Sequence, residues 1–226
     1  MFILLILTTL INLYLFYNLN KNKSSLEKIF SIFILTNIVW TMFNYLLFHS
    51  NNTFFAIILT KLVMIPSSFL PILLYLFAKN INKEKEGFPK IKNNIYILIV
   101  FIFEIFFLSN YLVNSVQLHP FLIRFGYGIY VYIFFILFFS SLFTIYLYKK
   151  FKDSLGYNKI ILEYFLTGFI VTAIFAIISN LILPSFFNIY SLTTIGTLSP
   201  IFVNILVYYA LTRSRIADLK KIIRNI

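Results

Sequence analysis

The chain of 226 residues is 61% hydrophobic and 12% charged, with a mean hydropathy of +0.91, a balance that would coat a water-soluble fold in apolar surface. Its net charge of +12 would suggest nucleic acid in a soluble domain, but the charge is confined to short segments between apolar runs, where orientation in a bilayer and anionic headgroups explain it without nucleic acid. Cysteine is absent, which excludes disulfides, thiolate catalysis and cysteine-held metal.

The reading is therefore a multi-pass protein of the cell membrane. Residues 1–20 have neither a basic leading region nor a small-residue cleavage site, and form a retained first span rather than a signal peptide. A helix needs about 20 mostly apolar residues to cross the hydrocarbon. Residues 2–19, 29–48, 54–78, 95–113, 127–148, 160–183 and 189–211 satisfy this, predicting an all-α fold, a seven-transmembrane helix bundle. Strands are not expected, because the polar–apolar alternation of a membrane barrel is missing. Residues 114–126 read as an outer loop and Pro184 as the stop of the sixth span. No loop is long enough to fold independently, and no internal repeat suggests a transporter built from two halves. Of the 19 basic residues, all but Lys61 and Arg124 lie in every second gap between spans. Basic flanks stay on the cytoplasmic side, which puts the amino terminus outside and the carboxy terminus inside.

Polar residues within the spans mark the candidate site. Lys61 on the third span and Glu104 on the fourth share a depth, roughly 12 Å below the outer surface at about 1.5 Å of rise per residue. An isolated charge at mid-helix costs about 3 kcal/mol on insertion scales, while a close pair regains about 4 kcal/mol, so the two are expected to face the bundle interior. Either a structural lock or a ligand- or proton-responsive site fits this pair. Trp40 and Asn44, four apart on the second span, fall near the same level and complete the layer. Pro66 and Pro71 remove two backbone donors from the third span and predict a helix kink there. Asn180 and Asn204 suit hydrogen bonds between helices. His49 and His119 fall outside the membrane as loop residues and make a poor metal site. Nucleophile, zinc and phosphate-loop motifs are missing, so neither a metal, a cofactor nor an enzymatic activity is expected.

The tail has a different pattern. From Arg213, apolar residues recur at Ile216, Leu219, Ile223 and Ile226, the start of a heptad seam, among Arg215, Asp218 and further basic residues. It suits an amphipathic helix on the inner leaflet, or an output helix that pairs with a copy of itself. The chain divides accordingly into a seven-span domain, 1–212, and a cytoplasmic helix, 213–226.

Trp40, then Lys61, then Phe69-Leu70-Pro71-Ile72-Leu73-Leu74-Tyr75-Leu76-Phe77, and finally Tyr209-Ala210-Leu211-Thr212-Arg213-Ser214-Arg215-Ile216-Ala217-Asp218-Leu219, make the chain resemble the N-terminal seven-transmembrane region of membrane sensor histidine kinases. The resemblance covers nearly the whole chain. It implies a sensory input module that passes an external or intramembrane signal to a cytoplasmic kinase or other transmitter, in cis or in trans, with a homodimer formed through the C-terminal helix. The chain carries no phosphoacceptor helix or ATP-binding domain of its own, so it is expected to be a piece of a longer protein or to work through a partner. A small transporter or channel using the Lys61/Glu104 layer is the alternative, followed by a structural subunit.

Overall fold

The computed structural model describes residues 2–21, 25–80, 102–103, 109, 111–118, 121–190 and 192–224. Most of the expected fourth span, including Glu104, lies outside the described residues, as does His119.

Helices α1 (Phe2–Asn20), α2 (Ser25–Phe48) and α3 (Thr53–Asn80) open the fold. A hairpin of β1 (Val113–Gln117) and β2 (Leu122–Phe125) follows, then α4 (Gly128–Asp153) and α5 (Gly156–Ile177). A π-helical turn, Ile178–Ile182, joins α5 to the short α6 (Leu183–Phe187), and α7 (Thr193–Leu198) and α8 (Pro200–Arg224) complete the chain. Successive long helices pack on one another from α1 to α5, with α3 directly against α4. Then α8 packs on α5 and closes the ring against α1.

Among the described residues, five helical stretches are long and apolar enough to cross a membrane: Leu26–Phe48, Thr53–Lys79, Gly128–Asp153, Lys159–Phe187 and Ile195–Thr212. Leu5–Asn20 is a shorter apolar helix. The surface of α1 shows how such helices meet lipid. Thr8, Asn12, Leu15 and Leu19 recur at helical spacing and are buried, while Ile3, Leu7, Leu10, Tyr14 and Tyr17 recur at the same spacing and are exposed. An uninterrupted apolar stripe of this kind is out of place in water and suits hydrocarbon.

Burial divides into two apolar clusters at opposite ends of the bundle. The first gathers Leu19, Phe30, Phe77, Leu147, Leu162 and Ala210. Its rings interlock edge to face, Phe77 on Phe165 at 4.7 Å and Phe143 on Phe169 at 4.6 Å between centroids. Lys21, Lys28, Lys79, Lys150 and Lys159 adjoin this end in sequence, and the Lys150 ammonium donates to the Ala78 carbonyl, tying α4 to the end of α3. The second cluster gathers Leu47, Ala56, Leu59, Leu112, Val116 and Ile129. There Asn52 caps α3, its Oδ1 accepting from the Phe55 N–H at 3.1 Å.

Two expectations need correction. Residues 114–126 are not a plain loop: β1 and β2 pair antiparallel, Val116 opposite Ile123 and Gln117 opposite Leu122, with an irregularity between Val113 and Ser115. The hairpin holds because Val113, Val116 and Ile123 bury one face in the second cluster. Pro184, moreover, does not stop the sixth helix. The π turn comes first, and Pro184 then lies in the opening turn of α6, with the helical path continuing to Phe187. The chain turns at Asn188, in the left-handed conformation with φ 56°, and its N–H bonds Leu183 O. In the last expected span α7 and α8 meet at Ser199, whose backbone stays helical at φ -57° and ψ -31°, and Ile195–Thr212 keeps the length to cross.

Candidate functional site

Between the two clusters lies a cavity of about 160 Å³. Its walls combine Phe33, Leu74 and Val203 from the first cluster with Leu47, Ile123 and Ile136 from the second. Trp40 and Asn44 of α2 are both buried and both line it, as their shared face predicts. Asn44 Nδ2 donates to the Trp40 carbonyl at 2.9 Å, a bond within the helix that fixes the amide beside the indole.

On α3 the wall is built around the proline segment. The helix runs unbroken through Pro66 and Pro71, and Pro71 lines the cavity. The hydroxyls of Ser67 and Ser68 return to carbonyls of the preceding turn, Ser67 Oγ to Met64 O at 2.8 Å and Ser68 Oγ to Ile65 O at 2.7 Å. Ser67 also meets the Tyr132 hydroxyl, which pins α3 to α4 across the cavity edge. Lys61 is partly buried on this helix but does not line the cavity. With Glu104 outside the described residues, the expected Lys61–Glu104 layer has only its lysine in view.

The far wall comes from the irregular helices. Asn180 sits in the middle of the π turn, a local widening of the helix that often accompanies function. Its neighbour Ser179 returns its hydroxyl to Phe175 O. Both side chains press on α7 at Gly196, where an added Cβ would lie 2.0 Å from Ser179 Oγ and 2.4 Å from Asn180 Nδ2. Only glycine leaves room for them. At the α7–α8 junction, Thr172 Oγ1 donates to Ser199 O at 3.0 Å and Ser199 Oγ to Thr172 O at 3.2 Å, a reciprocal pair joining α5 to the junction. Pro200, whose ring nitrogen has no hydrogen to lose, starts α8 on the cavity wall.

The rim beside the hairpin is Tyr190. Its hydroxyl donates to Ile123 O at 3.0 Å and accepts from the Ile123 N–H at 3.1 Å, anchoring β2 beside the cavity. Burial pushes its phenol above the usual tyrosine range, while the bond from the Ile123 backbone pulls the other way.

Most polar groups on these walls are satisfied. Thr60 donates to Ala56 O at 2.8 Å and Thr193 to Tyr190 O at 2.7 Å. Two donors are not: the Trp40 indole Nε1 and the Asn180 amide Nδ2 are buried without a hydrogen-bond partner. The expected interhelical role falls to Asn204, whose Nδ2 donates to Asn12 Oδ1 at 2.9 Å and joins α8 to α1. Asn180 was legible only as a polar group within a span, because its unspent donor depends on the π turn and on Gly196. His49 is an exposed residue, its Nδ1 2.9 Å from Tyr45 O and its ring 4.1 Å from the Tyr45 ring.

No known protein family, characterised protein or solved structure matches the chain.

Proposed function

We propose that the chain is the sensory input module of a membrane signalling protein of histidine kinase type, crossing the cell membrane seven times with its amino terminus outside. The observation that carries this reading is the course of α8. Pro200 and Val203 wall the cavity, and the same helix continues without interruption to Arg224. At about 1.5 Å per residue that is a rod of roughly 36 Å from Pro200 on the cavity wall to Arg224. An occupant that fits one arrangement of the cavity wall better than another shifts the population of α8 positions, and a transmitter joined or bound to that helix reads the shift. The heptad seam from Arg213 supports a homodimer through this segment.

The topology rests on two further observations. The described helix ends that carry lysines adjoin one apolar cluster, and basic flanks belong to the cytoplasm. The end of α3 packs in that cluster through Phe77 and Ala78, while Leu112, the next buried described residue, packs in the opposite one.

The test is a fusion of a histidine kinase transmitter after Arg224, reconstituted in proteoliposomes. Narrowing the cavity by Ala176→Phe is expected to change autophosphorylation by roughly fivefold or more, in line with ordinary coupling energies. An unchanged rate together with solute flux through the unfused chain would replace the sensor by a transporter.

A further inference from the structure

We infer that the groove between α3 and α4, at the lysine-bearing end of the bundle, seats an anionic phospholipid, with one acyl chain along the groove and the phosphate at Lys149. Among the described residues this groove shares only Pro71 with the cavity between the two clusters. The inference stands apart from the sensory reading and takes from it only the orientation in the membrane.

Level comes first. Four tyrosines stand one helical turn before a lysine whose ammonium lies near their ring: Lys21 over Tyr17 at 4.2 Å, Lys79 over Tyr75 at 6.0 Å, Lys150 over Tyr146 at 5.9 Å and Lys152 over Tyr148 at 4.8 Å from the centroid. Tyrosine beside lysine at the end of an apolar helix belongs at the level of the lipid headgroups. The groove reaches that level, since Tyr75 and Tyr146 both line it and meet edge to face at 5.2 Å, and Lys149 lines it one turn further on. Length comes second. The α4 wall runs from Phe139 to Lys149, roughly 15 Å at about 1.5 Å per residue, half of a hydrocarbon core about 30 Å thick. That is the depth of one leaflet. Leu142 and Ile145, which line the groove from α4, are 45% and 54% exposed, so it opens outward to lipid.

Charge decides the headgroup. Lys79 ends α3, and Lys149, Lys150 and Lys152 end α4, while α3 carries no carboxylate and α4 only Asp153. The following segment, residues 81–94, adds four lysines and two glutamates, so it brings no net negative charge. Each helix C-terminus supplies about half a negative charge, and with Asp153 the two ends offset about two of the four lysines. A positive surplus remains. The Lys150 ammonium is tied to the Ala78 carbonyl, whereas Lys149 is exposed at the end of the groove. A zwitterionic lipid would cover the same apolar walls without a net counter-charge, and a second copy of the chain docked face to face would oppose lysine to lysine. In the proposed orientation this end faces the cytoplasmic leaflet, where anionic lipids are held by basic pockets between helices.

The full chain in detergent is titrated with phosphatidylglycerol and with phosphatidylcholine bearing the same oleoyl chains, and binding is read by native mass spectrometry and by the rise in thermal midpoint. Phosphatidylglycerol should saturate with about tenfold higher affinity or more. Lys149→Gln is expected to cut that preference about fivefold and Lys149→Arg to keep it, while Lys152→Gln, at the same helix end but not lining the groove, leaves it within about twofold. Leu142→Trp, which fills the groove from an exposed position, should weaken both lipids together. Equal affinities for the two lipids would overturn the proposal. Equal losses from Lys149→Gln and Lys152→Gln would do the same, since diffuse surface charge gives that result. Full competition by glycerol 3-phosphate, the headgroup without its chains, would make this a site for a soluble anion and sink the lipid. A change of oligomeric state in Leu142→Trp without added lipid would make the groove a contact between copies instead. None of these measurements uses a transmitter, so the lipid site and the sensory reading stand or fall separately.

Discussion

Tyr190 carries an unusual share of the hairpin's anchoring for a single side chain, because one hydroxyl satisfies both the N–H and the carbonyl of Ile123. Tyr190→Phe removes both bonds while keeping the ring that packs edge-on against Phe121 at 5.4 Å. The expected loss is about 1–2 kcal/mol, read as a lower thermal midpoint in detergent, with no change in Tyr127→Phe, whose ring is exposed. The pH dependence has a definite sign. A phenol whose folded pKa is raised by burial contributes stability that is intact below the unfolded value, near 10.0, and declines as pH rises past it. Alkaline unfolding should therefore be less steep in Tyr190→Phe than in the parent. That Trp40 and Asn44 share one buried face of α2 was legible from the sequence, since a four-residue spacing survives any rearrangement of neighbouring helices. Asn180 was not, because an asparagine in a span looks the same whether its amide is spent on a neighbouring helix or held beside a cavity.

At the scale of elements, close approach is set by small residues and checked by polar pairs. A Cβ on Gly168 would lie 2.8 Å from Val203 Cα, so Gly168→Ala must push α5 and α8 apart. The cost should be about 1–3 kcal/mol, measured by thermal unfolding, with a larger loss for Gly168→Val. The Asn12–Asn204 bond between α1 and α8 is the complementary case. A double-mutant cycle with leucine at both positions should give a coupling of roughly 0.6 kcal/mol, the average for such bonds within membranes, and a value near zero would show the bond to be incidental. The long helices were legible because crossing a bilayer demands an apolar run whose length is fixed by its thickness. The hairpin escaped notice because Val113 to Gln117 is short and its burial comes from partners on α2 and α3 that adjacent residues do not reveal. Pro184 was misread for a similar reason. A proline ends a regular α-helix, but a π turn just before it resets the hydrogen bonding, and nothing local in the sequence marks that turn.

At the scale of the whole molecule, the lack of cysteine turns topology into a simple experiment. Asn51 and Lys152 are exposed near opposite ends of the bundle. Asn51→Cys should react with a membrane-impermeant maleimide on intact cells, and Lys152→Cys only after permeabilisation. The reverse pattern would invert the proposed orientation.

The two apolar clusters have a consequence for cohesion. Each end of the bundle is knitted by its own interlocked side chains, and the cavity falls on the seam between them. Such a molecule need not loosen as one body, since regions with separate cores open as separate cooperative units. The half that bears the hairpin and the half that bears the lysines would then exchange amide hydrogens at different rates. A molecule lodged in the seam would act as a stitch between halves that otherwise hold together mainly through the helices they share.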